Sequence, residues 1–166
     1  MIYQPEDVLA RLIGQSLATI GRAATMVWCG LGAERQTSSK SGKPRTVNEW
    51  ALHLQCPWTI TCAGVKVIDW ESMFIDAETG LECDGANLRG TVFDEWVDSL
   101  GAGTDLLGSV VTGSSRAGAM IYLDFLNEWR LALEIDSERT NEQWRLFQAG
   151  TEQSHFVAYA SGVEAE

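Results

Sequence analysis

Histidine and cysteine are the side chains of this chain that are best suited to catalysis or metal binding, and it has two of the first and four of the second. His53 and Cys56 form an H-x-x-C spacing, which on a helix would bring both to one face as metal ligands. On a β-strand the same odd separation places them on opposite faces. Zinc sites commonly use C-x-x-C or H-x-x-x-H pairs, and the sequence contains neither. We therefore expect no metal site and no cofactor.

A cysteine nucleophile would need a histidine as its base. Cys29, Cys62 or Cys83 could each be paired with His53 or His155, but no spacing selects one of these pairs. The glycine-rich segments lack the phosphate-binding patterns, and there is no G-x-S-x-G motif. The sequence thus favours a protein that is not an enzyme, while leaving activity open.

The histidines also suggest an alternative function. On a strand, His53, Gln55 and Thr59 project from the face opposite Cys56, and this polar row either faces solvent or lines a cleft. His155 could complete such a cleft. The alternative prediction is therefore a small enzyme or small-ligand-binding domain with a pocket at His53, Gln55, Thr59 and His155.

The element that carries His53 has the clearest pattern in the chain. Apolar residues alternate at every second position from Trp50 to Ile60, and this period predicts a long, half-buried strand over 49–61. A turn at Ala63-Gly64 then predicts a hairpin with a strand over 65–70. An antiparallel sheet with one packed face follows from these two strands.

Two helices are predicted beside the sheet. The first covers 5–20, with Pro5 at its first position, an apolar stripe and Gly21 as its stop. The second covers 92–100, where Thr91 and Asp94 approach a capping box. The remaining predicted strands are 23–33, 109–112, 119–126, 129–135, 142–148 and 155–160, with turns at 114–118 and 127–128. We predict an α+β fold in one domain, 1–166: a mostly antiparallel sheet of seven or eight strands with an N-terminal helix and one short internal helix.

Charge is distributed unevenly along the chain. The net charge is −11, which disfavours nucleic-acid binding and anionic membrane surfaces. Residues 35–45 hold four basic and no acidic groups, and we interpret them as a solvated loop or a long hairpin tip. Residues 71–90 are rich in acids and lack periodicity, which predicts an irregular excursion.

Tryptophans flank the acidic segments, and aromatic side chains set among acids suit the recognition of a basic partner. The first prediction is therefore a non-enzymatic acidic protein-binding module, such as an immunity or inhibitor protein, with a patch around 69–98 and 134–152. A structural subunit that pairs through a sheet edge is a third hypothesis. The predicted binding residues are Trp70, Asp94, Glu95, Trp96, Asp98 and Trp144.

Three segments carry a resemblance to known sequences. They are WALHLQCPWTI at 50–60, EQWRLF at 142–147 and HFV at 155–157, with Gly162 following. Together they resemble a family of small uncharacterised bacterial proteins, over about the last two-thirds of the chain. The resemblance implies no activity and assigns no residue a role. Some small acidic bacterial proteins are immunity proteins, and that analogy is one of class alone.

The cellular compartment is predicted from the absence of targeting signals. The first residues, Met-Ile-Tyr-Gln-Pro-Glu-Asp, contain neither a basic nor an apolar region typical of a signal peptide. No apolar run reaches 18 residues. We expect a cytoplasmic protein with reduced thiols.

Overall fold

Two antiparallel β-sheets pack against each other around one core. The computed structural model describes residues 1–86 and 89–166, and in this part of the chain twelve strands are present. The seven-stranded sheet has the order β1 (Ile2–Tyr3), β12 (Gly162–Ala165), β11 (Phe156–Tyr159), β10 (Trp144–Gln148), β4 (Pro44–Leu54), β3 (Met26–Ser38) and β2 (Leu17–Ala23). The five-stranded sheet has the order β6 (Val65–Asp69), β5 (Trp58–Cys62), β9 (Trp129–Glu134), β8 (Met120–Phe125) and β7 (Val111–Ala117).

Short helices cover the ends of the sheets. They are α1 (Pro5–Leu9), α2 (Val92–Ser99) and the 3-10 helices Ala10–Leu12, Trp70–Phe74 and Leu126–Glu128. The predicted mostly antiparallel class with two short helices is confirmed, but the strands are more numerous than predicted and form two sheets.

The predicted strand over 49–61 is two strands in different sheets. The chain turns a corner at 55–57, where Gln55 N–H donates to the Gln143 carbonyl and Pro57 ends the ladder because it has no N–H. Burial nevertheless alternates through the corner, with Leu54, Cys56 and Trp58 all buried. The alternation survives because both sheets face the same core.

The predicted helix over 5–20 is wrong beyond Leu12. Gly14 adopts a positive φ of 89° and redirects the chain, and residues 17–23 form β2. Gly21 is therefore a strand residue and no helix stop. It is needed as glycine, because a Cβ there would lie 2.5 Å from Cζ2 of Trp28 on β3.

The basic segment 35–45 forms the end of the long β3–β4 hairpin. Of the two interpretations that the sequence allowed, a solvated loop or a long hairpin tip, the structure has the hairpin tip. Residues 34–38 pair with residues 44–48, beyond the last residues that pair with β2 and β10. We call residues 34–48 the ribbon. The predicted turn at 114–118 is also wrong, because β7 continues to Ala117.

The excursion over 71–90 is irregular over most of its described length. It contains the end of the 3-10 helix Trp70–Phe74 and isolated bridges from Ile75 to Glu82 and from Asp76 to Thr91. Residues 87–88 of this prediction lie outside the described residues.

The buried side chains form one cluster between the sheets. Trp58 of β5 meets Phe93 of α2 edge-on, with ring centroids 5.6 Å apart, and this contact closes one end of the core. Val8, Leu9 and Leu12 are buried from the N-terminal helical segment. Among the described residues, no helix is both long and apolar enough to span a membrane.

We expect Trp144→Ala to lower the free energy of unfolding by about 3–5 kcal/mol, because it empties a fully buried site. Urea denaturation followed by circular dichroism measures this change. Trp70→Ala is the matched control, since Trp70 is 37% exposed, and its cost is expected to stay near ~1 kcal/mol. Equal losses for the two variants would contradict the position of Trp144 in the core.

Candidate functional site

An ion pair between Arg22 of β2 and Asp94 of α2 fixes the helix against the large sheet. Arg22 Nε and Nη2 donate to the two carboxylate oxygens, each at 2.7 Å. Arg22 Nη1 also donates to the carbonyls of Ala24 and Gly85. Asp94 completes a capping box with Thr91, as the sequence predicts. These hydrogen bonds occupy both carboxylate oxygens of Asp94, whose side chain is 26% exposed, and its contact with a partner stays a prediction.

The surface around this pair is acidic and partly apolar. α2 packs against the 3-10 helix Trp70–Phe74 and against β6, so these three elements are neighbours. Glu71, Glu95 and Asp98 are exposed there. Val65 and Val67 on β6 are 67% and 40% exposed. We call the surface of Val65, Val67, Trp70, Glu71, Glu95 and Asp98 the acidic face.

The predicted tryptophans differ in what they can contact. Trp70 is 37% exposed and is held edge-on against Phe74, with centroids 5.7 Å apart. Trp96 is half-buried and packs on the core beside Phe93. Trp144 is 0% exposed, so the prediction that it binds a partner is wrong. Trp70 is the most exposed of these three tryptophans.

The second acidic segment of the predicted patch, residues 134–152, makes no described contact with the acidic face. Residues 134–139 lie at the corner of the chain, where Glu134 N–H donates to the Pro57 carbonyl and Arg139 Nη1 donates to the Gln55 carbonyl at 2.5 Å. Glu142 pairs with Arg145 on β10 of the large sheet. The patch that the sequence predicts over both segments is therefore divided between separate elements.

A groove of about 620 Å³ lies on the outer face of the seven-stranded sheet. At Gly30 the missing side chain lets Thr19 and Asn48 pack close over the strand, because a Cβ there would clash with Thr19 Oγ1 and Asn48 Oδ1. Thr19 Oγ1 donates to Asn48 Oδ1 at 3.1 Å, and Asn48 Nδ2 donates to the Gly32 carbonyl at 3.2 Å. Its lining also includes Trp28, His53, Phe147, Glu34 and Arg45. We call this feature the sheet groove.

Both histidines contact the ring of Phe147. His53 meets it edge-on at 4.9 Å between centroids, and His155 stacks on it at 4.5 Å. Burial lowers the pKa of His53. Burial and then the charge of Arg145 lower the pKa of His155. The neutral form of both imidazoles is therefore favoured over the protonated form.

The tautomer of His155 follows from its neighbour. Arg145 Nη1 lies 3.0 Å from His155 Nδ1, and because a guanidinium only donates, Nδ1 accepts and Nε2 carries the proton. Arg145 is itself held by the Glu142 carboxylate at 2.7 Å. This network orients the imidazole and leaves Nε2 as a donor.

The predicted pocket of four polar residues is only half assembled. Gln55 is exposed at the corner, and its backbone is used by Gln143 and Arg139. Thr59 belongs to β5 in the other sheet, where it pairs with Asp69 and Ala132. The corner at 55–57 separates them from His53, so their prediction as one pocket is wrong.

The cysteines have no catalytic geometry. Burial raises the pKa of Cys29 and of Cys56 to about 12, so both remain protonated thiols. Within the described parts of the chain, no hydrogen bond joins a cysteine thiol to His53 or His155. The same residues contain no group of three His, Cys, Asp or Glu side chains that could hold a metal ion.

Among the residues that line the groove, His53 is the one that the sequence predicts as part of a pocket. The sequence contains a signal for Trp28. On a strand whose Val27 and Cys29 side chains face the core, the side chain of Trp28 must face outward. Asn48 and Thr19 had no signal, since their contact depends on the register of three strands.

Comparison with protein-family models, curated proteins and solved structures finds no match to this chain. The resemblance to small bacterial proteins remains an expectation. The function is therefore inferred from the geometry of the acidic face and of the sheet groove.

Asp94→Asn tests the ion pair that holds α2. Hydrogen bonds from Arg22 hold the pKa of Asp94 well below its ordinary value, although partial burial acts in the opposite direction. A carboxylate whose pKa is lowered on folding contributes stability that is complete above about pH 5 and is lost as the pH falls below about 4. We expect the variant to lose about 2–4 kcal/mol at pH 7.

The measurement is urea denaturation at a series of pH values between about 7 and 2. The variant should show a weaker loss of stability below about pH 4 than the native chain. Asp98→Asn on the same helix is the control, and its cost should stay within ~0.5 kcal/mol. Parallel curves for Asp94→Asn and the native chain would contradict the assigned role.

Proposed function

We propose that this chain is a non-enzymatic protein-binding module that holds a basic partner on its acidic face, as an immunity or inhibitor protein would. The observation that carries the proposal is the exposure of three apolar side chains, Val65, Val67 and Trp70, on elements that pack against α2, which itself exposes Glu95 and Asp98. Exposed apolar groups rimmed by polar ones are typical of protein interfaces.

The acids favour a partner with lysine and arginine at its contact surface. Residues 66–105 contain ten acidic and two basic groups. Such a field accelerates the encounter with a basic protein and repels acidic ones. Affinity would come from Trp70, because a rigid aromatic ring supplies contact area at little entropic cost.

Rigidity of the surface also supports this proposal. The Arg22–Asp94 pair has side chains that are 9% and 26% exposed, and it ties α2 to the sheet edge. Glu95 and Asp98 are therefore presented from a fixed helix. A pre-organised surface loses less conformational entropy on binding.

Contact through side chains is favoured over addition of a strand. β6 is the edge of its sheet, but it has five residues, a register shift opposite Ile60 and Thr61, and Lys66. Short length, bulges and lysine are features that protect edges from strand pairing. The partner is therefore expected to cover Trp70 and the valines without extending the sheet.

A second function is favoured by the sheet groove. Its aromatic lining and its volume of about 620 Å³ suit a small ligand. This is the alternative prediction at His53, now with Trp28 and Phe147 in place of Gln55 and Thr59.

The test is site-specific photo-crosslinking in the native host. A photoreactive residue replaces Val67 in one variant and Ile2 of β1 in a control, since both are apolar and exposed, at 40% and 60%, and β1 belongs to the other sheet. The proposed anchor Trp70 stays in place. We expect one basic protein to crosslink through position 67 and to be absent at position 2. Glu95→Lys combined with Asp98→Lys should abolish that crosslink, because the charge of the acidic face is reversed.

Identical crosslinking patterns at both positions would contradict the proposal. So would an acidic partner, or a crosslink that withstands the double charge reversal. Circular dichroism of each variant confirms that the fold is intact before the comparison.

A further inference from the structure

We propose that the sheet groove binds a free purine nucleotide, with the base against Trp28 and the phosphates on the cations of the ribbon. This inference deepens the second function proposed for the sheet groove and is independent of the acidic face, so either proposal can fail without the other. It rests on three groups that line one groove: the indole of Trp28, the amide of Asn48 and the guanidinium of Arg45.

The aromatic wall is fixed by close packing. Trp28 and His53 are paired across β3 and β4, so they lie side by side on the outer face of the sheet. The indole of Trp28 lies over Gly21, whose missing side chain allows the approach. The ring is half-buried, which leaves part of it available to the groove. Stacking of a base on an aromatic side chain is worth about 1–3 kcal/mol per base.

The amide of Asn48 supplies a polar contact for the base edge. Thr19 uses one acceptor position of Oδ1, and the Gly32 carbonyl uses one of the two Nδ2 hydrogens. Among the described hydrogen bonds, one donor and one acceptor of the amide stay unused. Adenine presents the complementary pair at N6 and N7, which asparagine can contact in bidentate fashion. Glu34, also in the lining, can accept from an exocyclic amine.

The ribbon supplies the charge for the phosphates. Lys40, Lys43 and Arg45 are exposed, and none of them takes part in the ion pairs of the described residues. Arg45 lines the groove itself. Residues 34–48 hold four basic groups and one acid, so this part of the molecule is cationic although the whole chain is at −11. An anion is therefore attracted to the ribbon side of the groove.

Size and total charge select a free nucleotide over a nucleic-acid strand. The groove volume of about 620 Å³ lies within the range of single small-ligand sites. A long polyanion would run beyond the ribbon towards a strongly acidic molecule. A mononucleotide places its few charges on the ribbon alone.

Isothermal titration calorimetry of the full chain tests the site, with ADP, adenosine and a single-stranded oligonucleotide as probes. ADP is expected to bind one to one, with adenosine about tenfold weaker because it lacks the phosphates. Arg45→Gln should weaken ADP by about tenfold and leave adenosine unchanged. Trp28→Leu should weaken both probes together by about tenfold.

Matched controls lie outside the groove. Arg116→Gln removes an exposed cation on β7, and Trp70→Leu removes an exposed indole on the acidic face. Both should bind ADP as the native chain does. Because Arg45 is on the exposed ribbon, its variant tests the proposal even if Trp28→Leu fails to fold.

Three results would overturn the proposal. They are the absence of ADP binding by the folded native chain at millimolar concentration, ADP binding that Arg45→Gln leaves unchanged, and tighter binding of the oligonucleotide than of ADP. The last result would assign the groove to single-stranded nucleic acid.

Discussion

The fold depends on one constraint. The apolar residues that alternate along β4 and β5 must all face the same core, although the two strands belong to different sheets. Leu54 ends β4, Trp58 begins β5, and Cys56 between them remains buried while the chain changes sheet. A shift of one residue at this corner would turn one whole strand inside out, because side chains alternate with a period of two. The hydrogen bonds of Gln55 and Pro57 with Gln143 and Glu134 hold the corner in register.

The corner also decides where functional surfaces can form. It assigns every second residue of β4 to the outer face of the large sheet, where the sheet groove lies. It directs β5 and β6 to the smaller sheet, whose edge meets α2 and the acidic face. His53 and Thr59, six positions apart, therefore belong to different surfaces.

The sequence predicted the elements that are determined by residues close together along the chain. The positive-φ turn at Ala63-Gly64, the capping box at Thr91 and the strand from Trp129 were all predicted. The helix over 5–20 failed because the apolar spacing of residues 12–20 fits a helix as well as the buried positions of a strand, and pairing with β3 decides between them. Burial of Trp144 and the Arg22–Asp94 pair depend on contacts between distant segments, which no window of the sequence contains.

The separation of charge in sequence becomes a separation in space, and this has a consequence for binding. The ribbon is the end of the β3–β4 hairpin that lies beyond its pairing with β2 and β10. The described ion pairs connect none of the ribbon's cations to the acids of residues 66–105. If the ribbon folded onto the acidic face, each would neutralise the other and both would be lost as binding surfaces. The five paired positions of the ribbon oppose this, because a paired hairpin bends less readily than a loop of the same composition would. The stiffness of one hairpin thus allows a strongly acidic protein to keep a cationic site.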